Sequence, residues 1–425
     1  MSLRRGSRPK LPRVARAAAG RLHLRMDARD PAQEHRAATP LELLFDLVFV
    51  VAIAQLVGEL AHAAENGHPF EAIGPFAMVF FAIWWAWMGF TWFASAYDTD
   101  DVLYRVLAAV QMAGVLVIAA GVPAAFSELD FTGITIGYLV MRVGLVASWL
   151  RAAIEHRDGR RTALGYAIGI SIVQALWILW RLLELPDTLL VPVFVVLAAS
   201  ELVVPFLAER SGMTTWHPHH IAERYGLFVI ILLGESVLAS TVAVQVAVTD
   251  FGVSLPLVVL GISGFALLFG VWWYWFLQPA GDGLEQNRQR SFVWGYGHYV
   301  LFAALAALGG GLEIAIDASR ESAELSPVVA AGFVGVPLAV ILAGTWVLHR
   351  ALLGREEFPW WIALPGAALA LAAPFAAPAL GLWAVVALLA LLVAVVVALA
   401  VAAGARRKLD EALEGADAAS EASSG

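Results

Sequence analysis

The sequence predicts an all-α, polytopic membrane helix bundle of about twelve transmembrane helices, arranged as two parallel six-helix repeats. Three observations carry this reading. The 425 residues are 60% hydrophobic and only 15% charged, whereas soluble domains sit near about 45–50% and about 25%. Apolar runs of about twenty residues, the length that crosses hydrocarbon, recur along most of the chain. Lys and Arg are dense in every second connection and sparse in the others, the charge asymmetry that orients membrane helices.

Residues 1–38 form a basic cytoplasmic tail, expected to be disordered. Its cations are Arg4, Arg5, Arg8, Lys10, Arg13, Arg16, Arg21, Arg25, Arg29 and Arg36, with no apolar core of a signal peptide between them. Met1 and Met26 both stand open as the start. The first span, roughly 41–63, reads "LELLFDLVFVVAIAQLVGEL" and carries carboxylates inside an apolar run. The second, 72–97, has Trp84, Trp85 and Trp87 near or beyond its middle. The third, 102–126, follows the acidic turn "DTDD" and opens with Arg105. The fourth, 133–156, has Arg142 midway, and the fifth and sixth, 162–184 and 188–208, are apolar runs with arginines at their inner ends. The seventh, 221–246, begins "HIAER" and reaches Glu235 about fifteen residues in; the eighth, 250–278, closes on "GVWWYWFLQ". The ninth, 291–318, contains His298 and a "GGG" suited to close helix packing. The tenth is 326–352. The eleventh, 359–378, is the weakest, interrupted by Pro365 and Pro374. The twelfth, 380–403, runs into a basic stop and an acidic tail, 404–425, also expected to be disordered.

With the amino end inside, the inner connections hold Arg105, Arg151, Arg157, Arg160, Arg161, Arg210, Arg224, Arg288, Arg290, Arg350 and Arg355, and the outer ones only Arg181 and Arg320. Both termini are therefore expected in the cytoplasm. Residues 39–215 and 216–403 read as the two repeats, because polar landmarks recur in order: Glu42 and Glu223 at inner helix ends, "AIWWAWMGF" and "GVWWYWFLQ", an acidic turn, then Arg105 or Arg288 and Arg290. Six spans is an even number, so the repeats would share an orientation, related by an axis along the membrane normal.

The polar residues inside the spans are the candidates for function. Glu42 and Asp46 share one face of the first helix, one turn apart, while Gln55, Glu59 and His62 lie on roughly the opposite face. A helix polar on two sides is expected to be central. Arg105 is the expected partner of Glu42 or Asp46, and Arg288 or Arg290 of Glu223; such pairs read either as fixing helix packing or as a gate. Glu235 near the midplane, with Arg224 on the same face, is the foremost pathway residue. Its expected partners are Arg142 and His298; His298 beside it becomes a candidate proton relay, and alone a packing residue. Trp84 and Trp85 are too deep for an interfacial belt and suit packing or a cavity wall, while Trp272 and Trp273 suit the belt. In "HPHHIAER" the imidazoles of His217, His219 and His220 invite a metal, but Pro218 breaks helical spacing, so neither metal nor cofactor is expected. The absence of cysteine removes thiolate chemistry. There is no phosphate-binding loop, dinucleotide fingerprint or nucleophile elbow. No catalytic residue is assigned and no enzyme is expected.

The stretches "LELLFDLVFVVAIAQL" (41–56), "YDTDD" (97–101), "HIAERYGLFVIILLGES" (220–236) and "YGHYVLFAALAALGGGLE" (296–313) resemble the low temperature requirement protein A family of polytopic bacterial membrane proteins. Members often place an aspartate where this chain has Leu277 or Gln278. The resemblance implies a bacterial inner membrane and a link to growth in the cold, and supplies no biochemical activity. "FDLVFVVAI" also looks like the opening of the six-helix repeats in a lysosomal and bacterial potassium-channel family, which implies that the first and seventh helices are central. The expected function is a transporter or permeation protein for a small solute or ion, with coupling to protons left open. The alternatives are a non-transporting protein of cold or envelope adaptation and a cation channel lined by the first and seventh helices. The expected partners are the lipid bilayer and that solute, with no nucleic acid; the oligomeric state stays open.

Overall fold

The computed structural model of the protein describes residues 22–30, 33, 37–183, 186–278, 280–319, 325–354, 356 and 359–424. Residues 1–21, Arg36, Arg320 and Arg355, all used in the charge reading above, lie outside them. Among the described residues there is no strand, and twelve helical segments are long and apolar enough to cross a membrane. The helices are α1 (Pro40–Glu65), α2 (Ile73–Ala96), α3 (Val102–Ser127), α4 (Thr132–Glu155), α5 (Arg160–Leu182), α6 (Leu190–Glu209), α7 (Pro218–Phe251), α8 (Leu255–Phe276), α9 (Ala280–Gln286), α10 (Ser291–Asp317), α11 (Pro327–Leu353), α12 (Trp360–Ala372), α13 (Ala377–Leu380) and α14 (Leu382–Ser424). Ten of them are spans or the greater part of one by themselves; α9 falls in the same span as α8 (Leu255–Gln286), and α12 and α13 form one span, joined by a tight turn of 3-10 helix over Ala373–Ala376. Pro374 breaks that helix, while Pro365 is carried within α12. The expected acidic tail is a continuation of α14 to Ser424, in a sequence rich in the good helix formers Ala, Glu, Arg and Lys.

The chain divides into two compact units: 1–33 with 88–115 and 135–217, and 34–87 with 116–134 and 218–425.

In the first unit, α5 and α6 pack antiparallel. A Cβ on Gly169 would lie 2.7 Å from Val204, and one on Gly165 3.2 Å from Ala208. The indole of Trp149 stacks on Tyr166 at 4.1 Å. The part of the expected tail from Leu24 to Arg29 is tied down. The Leu24 N–H donates to Asp101 Oδ2 at 2.8 Å, Arg151 donates to the Leu24 carbonyl at 2.6 Å, and Met26 is fully buried. Buried Asp101 needs these partners. Burial pushes its carboxyl up, but the hydrogen bonds from Arg151 and from the Leu24 and Tyr104 N–H groups outweigh that and hold it at about 2.

In the second unit, α1, α7 and α10 pack on one another, α11 lies on α10, and α14 on α8. Small residues set the spacing. A Cβ on Gly309 would meet Ser236 Oγ at 2.5 Å, one on Gly310 would meet Leu60 at 3.3 Å, and one on Gly311 would fall 2.0 Å from the Phe333 carbonyl oxygen. These contacts fix the level of α10 against α7, α1 and α11. The first helix is not enclosed on all sides: Leu43, Leu44, Leu47, Val51 and Gln55 are exposed, and only the stripe from Glu42 through Phe49 to Leu60 is buried. The spans α2 and α10 are more enclosed than α1 and α7.

Candidate functional site

The polar interior of the second unit is stacked in three levels along α1, α7 and α10. The lowest begins with the start of α1. Thr39 caps the helix; its Oγ1 accepts from the Glu42 N–H at 3.3 Å while its own N–H donates to Glu42 Oε2 at 2.7 Å. The other oxygen, Glu42 Oε1, faces α7, 3.2 Å from Arg224 Nη1 and 3.2 Å from His220 Nε2. One turn on, Asp46 takes the fork of Arg224, from Nε at 3.0 Å and Nη2 at 2.5 Å, and accepts from Trp87 Nε1 at 2.7 Å. Glu42, Asp46, His220 and Arg224 are 0–1% exposed. The arrangement follows from spacing: Glu42 and Asp46 are four apart on α1, His220 and Arg224 four apart on α7, so each pair projects from one face. With His220 protonated, the cluster is neutral.

The middle level is aromatic. Tyr225 packs against Trp87, Trp294 and His298 at centroid distances of 5.0, 4.5 and 4.7 Å. His298 Nδ1 bonds the Trp294 carbonyl at 2.7 Å, and Trp275 and Phe302 close around the ring. Trp84 and Trp85 are buried against Phe81, Tyr296 and Tyr299, and Trp84 Nε1 has no hydrogen-bond acceptor there.

The third level holds Glu235, 4% exposed, whose Oε2 has no hydrogen-bond partner. The neighbouring Ser236 hydroxyl turns back to the Leu232 carbonyl at 2.9 Å. One turn further along α10, half-buried Glu313 lies within electrostatic reach of Glu235, Glu65 and Asp317.

Several expected pairings are corrected by this geometry. Arg105 does not serve Glu42 or Asp46; it is 61% exposed and forks onto Asp100 at 2.8 Å, because Asp100 lies just before α3 and Arg105 in its first turn. The cation for the two carboxylates is Arg224, which is thereby committed and not available to Glu235. Arg142 is not the partner of Glu235 either. Within the first unit it donates to Glu201 at 3.0 Å and to the Tyr138 hydroxyl, a buried pair between α4 and α6. His298 is engaged with the Trp294 carbonyl. Of the two cations expected for Glu223, Arg290 is turned away from it and donates to the Ala351 and Leu352 carbonyls at the end of α11, while exposed Glu223 accepts from the Ala38 N–H at 3.2 Å. Trp272 and Trp273 are 39% and 45% exposed, unlike the buried Trp84 and Trp85 with which the repeat would equate them.

Sequence reasoning missed Glu201 and Glu313 altogether, and took His220 only as a metal candidate. The four-residue spacing of His220 and Arg224 was the signal that could have found their role. Among the described residues no three His, Asp or Glu side chains converge to hold a metal ion. An apolar groove of about 510 Å³ in the second unit, lined by residues such as Leu60, Phe76, Val300, Phe333 and Phe375, does not include Glu235.

The chain is 30% identical over 222 residues to an uncharacterized protein of Rhizobium meliloti (strain 1021), covering 49% of this chain and 52% of the relative. It thus spans about half the length of the curated relative it matches. No solved structure matches. The model of the bacterial low temperature requirement A protein (LtrA) matches residues 37–403, nearly the whole helical region, and the chain belongs to that family of membrane proteins.

Proposed function

We propose that the protein is a transporter or permeation protein for a small solute or ion in the bacterial cytoplasmic membrane, with both termini in the cytoplasm. The observation that carries this reading is Glu235. A carboxyl at mid-span, 4% exposed and with an oxygen lacking any hydrogen-bond partner, is a costly feature to keep inside a membrane. Among the described residues no fixed cation satisfies it, so it is free to take a proton or a cation. Catalysis is not part of the proposal. The two-repeat organisation also stays a proposal, supported by the ordered landmarks of the sequence.

The alternative is a non-transporting membrane protein of cold or envelope adaptation. The satisfied pairs favour it: Glu42 and Asp46 with Arg224, and Arg142 with Glu201, are arranged as packing devices. A cation channel lined by α1 and α7 is less favoured, since one side of α1 is exposed.

The test is flux into proteoliposomes holding the full chain, across a panel of cations and small metabolites. Glu235→Gln keeps the shape and removes the charge. It should abolish the flux while the protein still accumulates in the membrane. Flux unchanged in Glu235→Gln would refute the role of this residue.

A further inference from the structure

The acidic side chains above the aromatic level form a series. The contact of Gly309 with Ser236 sets Glu235 at the level of residue 309 of α10, and that of Gly310 with Val57 and Leu60 fixes α1 at the same level. At 1.5 Å per residue, Glu313 is then roughly 6 Å further along, and Asp317 and Glu65 roughly another turn beyond. Helices α1, α7 and α10 are the first, seventh and ninth spans, so all three run in the same direction and these residues approach the same membrane surface. In the proposed orientation that surface is the outer one.

The charges are one-sided. His62 lies 3.9 Å from Glu65 and is the sole basic group that α1 presents near this end; half-exposed Glu59 lies below it. From α10 come Glu313 and Asp317, and α8 carries no ionisable side chain except Tyr274, which is bonded to the Leu342 carbonyl near the opposite end. The arginine of α7 is committed to Glu42 and Asp46. The innermost carboxyl, Glu235, is at once the most buried and the one with an unpartnered oxygen.

We propose that Glu235 and Glu313 form a binding site for a small monovalent cation, loaded past the Glu65 and Asp317 rim from the ends of α1 and α10. A calcium ion takes six to eight oxygen ligands, and among the described residues no three His, Asp or Glu side chains converge to hold a metal ion. Two carboxylates about a turn apart suit an alkali cation that keeps part of its water. This rests on the reading of Glu235 as a pathway residue, and names the class of ion that the pathway takes.

The experiment uses the purified full chain in detergent. Its thermal midpoint is followed while potassium or sodium chloride replaces N-methylglucamine chloride at constant ionic strength. A saturable rise with either alkali cation is expected, as for any ligand that binds only the folded state. Lowering the pH should raise the half-saturating concentration, since protons compete for the same oxygens. Glu235→Gln should remove the rise, Glu313→Gln should raise the half-saturating concentration several-fold, and Glu235→Asp should keep a weakened response. If Glu235→Gln does not fold, the Glu313→Gln and Glu235→Asp responses still decide. Equal response to N-methylglucamine, an unchanged response in Glu313→Gln, or stronger stabilisation by calcium would overturn the site. Binding without flux would overturn the transport reading alone; flux without alkali-specific binding would overturn this inference alone.

Discussion

Arg224→Met is the most informative perturbation of the lower cluster. The guanidinium makes the fork to Asp46, at 3.0 and 2.5 Å, and a further contact of 3.2 Å with Glu42. The last is an attraction of charges without hydrogen-bond alignment, so most of the directed bonding is to Asp46. Methionine fills similar volume but leaves two carboxylates, 0–1% exposed, with the Thr39 N–H, His220 and Trp87 near them and no guanidinium to answer them. Breaking a buried pair costs about 3–5 kcal/mol, and the structure places this substitution at the upper end, because two partners are orphaned together. Asp46→Asn should cost less, since an amide oxygen still accepts from Trp87 and Arg224 keeps Glu42. Arg224→Lys should fall between them, as a point charge cannot reproduce the fork. The assay is unfolding in mixed dodecyl maltoside and SDS micelles, with membrane accumulation measured alongside. The double variant Arg224→Met with Asp46→Leu should cost less than the sum of the singles, because the groups share one network. Arg224→Met within about 0.5 kcal/mol of the parent, the range of an ordinary surface change, would refute the pairing.

Two further outcomes are expected. Gly311→Ala puts a methyl 2.0 Å from the Phe333 carbonyl oxygen and 2.5 Å from its carbon; backbone cannot yield as a side chain does, so the α10–α11 contact should open at a cost of about 1–3 kcal/mol or more, while Gly58→Ala, with nothing within 4 Å of the new atom, should be nearly neutral in the same unfolding assay. Asp101 links stability to pH: its carboxyl is held at about 2 against an ordinary 3.8, a depressed value, so its contribution of about 2 kcal/mol is present above pH 4 and lost as the pH falls through 2. Asp101→Asn should thus destabilise at pH 7 and converge on the parent in acid; equal destabilisation at both would contradict the assignment.

The spans were legible because length and apolarity alone decide them, and the windows found in the structure match the expected ones closely. Even the weak eleventh span shows its fault where Pro374 stands. The pairings were far less legible. A carboxylate such as Glu42 can be assigned a cation only if the register between helices is known, and register is set by close contacts that no period reveals, such as Gly310 against Val57 and Leu60. Arg105 was nearest by sequence logic at the inner surface, yet an acidic residue in its own turn took it first. Arg142 and Glu201 sit on helices separated by a full span, with nothing in either segment to mark them as partners. The central place expected for α1 failed for a related reason: polar residues on two sides of a helix need not mean protein on two sides, and Gln55 is exposed.

What separates structure from function in this interior is saturation. The lower cluster has the properties of a clamp: capping box, paired spacing, a guanidinium fork and an indole donor all directed at two carboxylates. A ligand entering there would have to displace a charge-assisted bond before gaining one of its own, which argues against Glu42 and Asp46 as a gate. Glu235 is the opposite case. The adjacent Ser236 hydroxyl is turned to its own backbone, and Glu313, within electrostatic reach, is acidic. An incoming cation there displaces nothing and relieves repulsion between like charges. A buried carboxyl with an oxygen lacking a hydrogen bond and no paired arginine, more than the carboxyls that the fold pairs, is therefore where binding is to be sought.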